Sequence, residues 1–196
     1  MNTLEFFHLH PTGMSPCTLE KSALAQAKET WLCSGCGAPK PFVGSVAVHI
    51  QEDHPEDSPL TFVNGCGVIL ARRDLVDSLG QAHVQANLLL GEVRGASGEV
   101  MTDWLTVRAR HRVIVRGSKN VSHRCCDMCG RHVYFAMGAR YLFPTPQPRV
   151  SIYESDLSLV VAPDVLDGMP LTRWPKLGVE KLRVLAQPKD LLGELG

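Results

Sequence analysis

No run of this 196-residue chain comes near the roughly 20 consecutive apolar residues that a helix needs to cross a bilayer. Net charge is missing as well. Twenty basic residues balance 20 acidic ones, which argues against a generic nucleic-acid or membrane-surface binder but leaves room for local patches. The opening stretch Met1-Asn-Thr-Leu-Glu-Phe-Phe-His8 has no basic segment and no apolar core, so no export signal is expected. Catalytic signatures are lacking too. There is no His-Glu-x-x-His pair, no phosphate-binding loop and no Gly-x-Ser-x-Gly elbow, which lowers the case for an enzyme without removing it.

Cysteine, by contrast, is plentiful: seven residues. Without an export signal these imply a reducing cytoplasm, where thiolates stay free to bind metal. Four of them fall in two matching turns, Cys33-Ser34-Gly35-Cys36-Gly37 and Cys126-Asp127-Met128-Cys129-Gly130. Thiols three positions apart can reach one ion, and zinc takes four such ligands in a tetrahedron. The trailing glycine fits a chain that doubles back with positive φ. The expected metal ligands are therefore Cys33, Cys36, Cys126 and Cys129, holding a structural zinc ion with no position left for water or substrate. A rubredoxin-like iron site would use the same four thiolates. Structural disulfides are another reading, and so is a redox pair, although neither turn leads into an amphipathic helix. A metalloenzyme would require one of the four thiolates not to be a ligand.

The length suits a single domain over residues 1–196, with the two knuckles at 33–37 and 126–130 flanking a β-rich insertion. Alternation from Leu4 to His10 reads as an opening strand. Ser15-Pro16 offers a cap for a short helix over 19–28, which must end by Trp31. Val46, Val48 and Ile50 alternate as a strand, and 61–71 reads as a strand broken at Gly65-Cys66-Gly67 by a bulge. A helix over 72–79 stops at Gly80. Residues 83–93 and 104–116 read as two β-rich runs, with a turn at Gly95 to Gly98 between them and the second metal turn leading into a strand over 132–135. Prolines 144, 146 and 148 punctuate the chain; 150–153, 157–161 and 179–185 supply further strands, and a helix starts at Pro163. The fold class is α+β, mainly antiparallel sheet with a few short helices, clipped by a zinc-ribbon-like four-cysteine site. Clipping distant segments in this way is tolerable, because loop-closure entropy grows slowly with length.

Other candidates are weaker. Cys17 precedes the first helix, Cys66 reads as a small buried hydrophobe, and Cys125 should point away from its turn, as a lesser candidate for a ligand or reactive thiol. His123, Cys126, Cys129 and His132 recur every three residues, but a local site there would leave Cys33 and Cys36 without a role. His8 and His10 share one strand face and are read as surface residues. Arg108, Arg110, Arg112 and Arg116 have one parity, so a regular strand would aim them at a single solvated face able to grip phosphates. Two acidic regions, Glu52, Asp53, Glu56 and Asp57, then Glu154, Asp156, Asp164 and Asp167, could steer a basic partner.

The two turns, their order and the β-rich segment between them resemble the double-CXXCG motif family of myxobacteria. The part after the second turn, Ile152-Tyr-Glu-Ser-Asp-Leu157 onward to Gly178-Val179, is similar in outline to that family's C-terminal part. Some members are immunity proteins of contact-dependent toxin systems. The resemblance implies a cytoplasmic, zinc-stabilised protein that binds a cognate toxin and neutralises it by occlusion. The competing expectation is a zinc-ribbon nucleic-acid-binding protein that uses the basic face at 108–116.

Overall fold

The computed structural model describes residues 5–13, 16–37, 40, 44–53, 55, 58–116, 119–130, 132–137, 141–143, 150–155 and 158–184, with the backbone alone for 114–116, 119–124, 132–137, 141–143 and 183. The prolines at 144–148, Leu4, Ser15, Leu157 and Leu185, and the acidic Glu56, Asp57 and Asp156, lie outside these residues. In chain order the elements are β1 (Phe6–Pro11), α1 (Lys21–Trp31), β2 (Val48–His49), β3 (Leu60–Phe62), β4 (Ile69–Arg72), α2 (Arg73–Ser78) and α3 (Gln81–Asn87). There follow β5 (Leu88–Arg94), β6 (Val100–Ala109), β7 (Ile114–Arg116), β8 (Lys119–Cys125), β9 (His132–Met137) and β10 (Tyr141–Phe143). The chain closes with β11 (Ile152–Ser155), β12 (Ser158–Val161), α4 (Pro163–Asp167), a 3-10 turn at Leu171–Arg173 and β13 (Leu177–Val184).

The protein is α+β. A six-stranded sheet runs β11-β12-β1-β13-β10-β7, a five-stranded sheet runs β2-β5-β6-β4-β3, and β8 and β9 form a separate hairpin. Pairing is antiparallel except between β2 and β5 and between β10 and β13. The two large sheets face each other across one core. Leu9, Ile152, Leu159 and Val161 come from the first, and Leu60, Ile69, Ala71, Val107 and Ala109 from the second. Strand alternation sends the neighbouring residues the other way. Val68 and Leu70 join Val46, Val48, Ile50 and Cys66 under α1, which contributes Ala27. Phe6, Tyr153, Val160 and Leu182 make a third cluster on the outer face of the six-stranded sheet.

Four expectations change. The first helix begins at Lys21 after Glu20, without a side-chain cap, because Cys17 is held in a β-bridge to Val63. The break at 65–67 is a hairpin turn rather than a bulge, since Leu60 pairs with Ala71 across it. Residues 83–87 are helical: after Gly80, the segment Gln81-Ala-His-Val-Gln-Ala86 has enough good helix formers to make α3 before the strand begins at Leu88. The run at 104–116 is interrupted, because β6 ends at Ala109 and β7 starts at Ile114.

That interruption undoes the uniform arginine face. Arg108 turns into the core at 1% exposure, where its Nε donates to Glu154 Oε2 at 2.8 Å. The Ala109 amide donates to the same oxygen at 3.1 Å, and Arg112 Nε lies 3.6 Å from the other. Glu154 belongs to β11 and Arg108 to β6, so the ion pair joins the two sheets. Removing one partner of such a pair strands a buried charge.

Candidate metal centre

Each cysteine turn hangs from an element that fixes its place. The first follows α1, whose C-cap Leu32 is extended and whose Trp31 carbonyl accepts from the Lys40 amide at 2.7 Å as the chain returns. The second is the tip of the β8–β9 hairpin. Both have one backbone shape. The glycine amide donates to the carbonyl of the first cysteine at 2.8 Å in each, Gly37 to Cys33 and Gly130 to Cys126. Both glycines have positive φ, 67° and 65°.

The turns meet head to head. Cys33 Sγ lies 3.8 Å from Cys126 Sγ, and Cys36 Sγ lies 3.8 Å from Cys129 Sγ. All four sulfurs are within 4.8 Å of one another. A tetrahedral ion with sulfurs at about 2.3 Å has sulfur–sulfur edges of about 3.8 Å, so the spacing fits one shared ion. All seven cysteines are free thiols. Cys33 and Cys126 are buried, Cys36 is half-buried and Cys129 is exposed, which sets the site at the protein's rim. Gly35 allows the approach, because a Cβ there would fall 2.7 Å from Met128 Cγ and 3.1 Å from Cys126 Sγ.

The electrostatics suit a cation. The amides of Cys36 and Gly35 donate to Cys33 and, helped by the Cys129 and Cys126 thiols, pull its pKa from 9.0 down to about 6 against the opposing effect of burial. A folded cluster that already favours one thiolate is prepared for a metal. The coarse expectation therefore holds: Cys33, Cys36, Cys126 and Cys129 come together and can hold a metal ion.

The remaining thiols stay apart from it. Cys125 faces outward and donates to the Gly130 carbonyl at 3.5 Å. Cys17 and Cys66 are buried beneath α1, and burial pushes the Cys66 thiol up. The side chains of His123, His132 and Arg116 lie outside the described residues. His8 is not a surface residue: it is 4% exposed, with Nε2 2.5 Å from Ser158 Oγ. The acidic regions are partly committed within the fold. Glu52 accepts from the Thr18 amide and hydroxyl, and Glu154 accepts from Arg108. The contact between Gly35 and Met128 had no sequence signal, since nothing local places residue 128 against residue 35.

Among the described residues, no helix is long and apolar enough to cross a membrane. Compared with known protein families and with curated proteins, the chain matches none.

Proposed function

We propose that this is a zinc-stabilised binding protein, an immunity protein that neutralises a cognate bacterial toxin by covering its active surface. The observation that carries the metal half is the pair of 3.8 Å sulfur contacts between turns 93 positions apart in the chain. Zinc is favoured over iron because a redox-inert ion with no geometric preference of its own suits a purely structural clip. Four protein thiolates complete the tetrahedron, which supports a rigid scaffold rather than a catalyst. The toxin half is supported by the resemblance of the paired turns to the double-CXXCG family. Arg108 is engaged with Glu154, which removes one cation from the competing phosphate-gripping face.

The test is co-expression with each toxin candidate encoded beside this gene in its source organism. The proposed function requires rescue of growth by one of them and a stoichiometric complex on gel filtration. Failure with every neighbouring candidate, combined with salt-sensitive retention on nucleic acid, would instead favour the competing reading.

A further inference from the structure

We propose a second metal site, distinct from the cysteine cluster, in which His8, His10 and Glu180 bind a first-row divalent ion on the outer face of the six-stranded sheet. His8 and His10 project from one side of β1. The antiparallel register with β13 sets Glu180 directly opposite His8, and Gly178 opposite His10. One ligand atom from each of His8, His10 and Glu180 lies within 4.8 Å of the others. A bound ion at about 2.0–2.2 Å from each would bring them to roughly 3.0–3.4 Å, a closure of an ångström or so.

Two further features prepare the imidazoles. His10 Nδ1 lies 3.2 Å from the Pro11 carbonyl, which can only accept, so in the neutral ring the proton sits on Nδ1 and the lone pair on Nε2. A second partner that fixes the ring in this way is the usual companion of a metal-bound histidine. The Ser158 hydroxyl lies 2.5 Å from His8 Nε2 and helps to fix that ring. The rings lie 5.0 Å apart at 31°. Gly178 makes room for this arrangement, since a Cβ there would sit within 2.9 Å of three ring atoms of His10. Glycine inside a strand often marks such a close approach.

Two imidazoles and a carboxylate select zinc, nickel, cobalt or ferrous iron over calcium or magnesium. Unlike four thiolates, three ligands leave coordination positions for water or a small anion. The site does not depend on the toxin-binding reading.

The test uses the untagged full-length protein with its cysteines already zinc-loaded, titrated with nickel chloride in a calorimeter. The expected result is one further equivalent, with affinity weakened tenfold or more by His10→Ala and by Glu180→Gln. Nickel should also raise the melting temperature of the parent but not of either variant. His10 and Glu180 are half-buried, so these variants spare the buried His8. No second equivalent, or one unaffected by both substitutions, overturns the proposal.

Discussion

Turns 33–37 and 126–130 have a counterpart at Val63-Asn64-Gly65-Cys66-Gly67, and the difference separates backbone shape from chemistry. In the counterpart the Gly67 amide donates to the Val63 carbonyl at 3.2 Å and Gly67 has φ of 66°, the same closure as in the two metal turns. Its central Gly65 also has positive φ, 78°, where Gly35 of the first metal turn does not. Cys66 stands where Cys36 and Cys129 stand, but valine takes the place of the first cysteine. Val63 and Cys66 are buried beneath α1 rather than facing another turn. The thiols respond in opposite senses, with Cys33 drawn down by amides and neighbouring sulfurs, and Cys66 pushed up by desolvation. One closing bond and one positive-φ glycine thus serve both a metal clip at the rim and a hairpin turn in the core.

The strongest way to break this comparison is to remove a ligand. Cys126→Ser should abolish metal retention and lower the melting temperature by roughly 10 °C, whereas Cys66→Ser should leave metal content unchanged. Elemental analysis beside thermal unfolding decides it, and equal metal loss in both variants would refute the assignment. Next in size come the glycines. Alanine at Gly37, Gly67 or Gly130 should cost about 1–2 kcal/mol in each case, because all three hold positive φ. Denaturant titration reads that cost, and only Gly37→Ala and Gly130→Ala should also loosen the metal.

Val63→Cys completes a third Cys-x-x-Cys yet should capture no ion, since no second pair faces it, and should cost about 1 kcal/mol from lost packing. An extra metal equivalent would show that spacing alone suffices. The smallest effect is on titration. In metal-free protein the lowered pKa of Cys33 adds stability that is fully present above about pH 9 and drains away as pH falls toward 6. The raised pKa of Cys66 acts in reverse, its contribution holding below pH 9.0 and failing above it. Alkylation followed by peptide mapping should find Cys33 reactive and Cys66 protected at neutral pH.

Much of the fold was legible where local rules decide. Val46, Val48 and Ile50 alternate with exposed neighbours as their spacing implied, and α2 stops before Gly80, whose φ is 85°. The two Cys-x-x-Cys-Gly turns were readable because glycine and ligand spacing act within five residues. Residues 83–87 misled because they run without a break into the apolar Leu88-Leu89-Leu90, which does form a strand, although Gln81 to Ala86 is rich in helix formers. The resemblance of 63–67 to the metal turns was hidden by valine, which carries no ligand signal.

Composition and local spacing by themselves determined the α+β class, the alternation of the strands and the identity of the four clustered thiols. These follow from side-chain period, glycine conformation and the reach of neighbouring sulfurs. Only the tertiary structure decided which turn faces which, that Arg108 goes inward to Glu154, and that Glu180 stands beside His8. Each of those depends on strand register or sheet packing between residues far apart in the chain, and a one-residue slip in register would reverse every side chain involved.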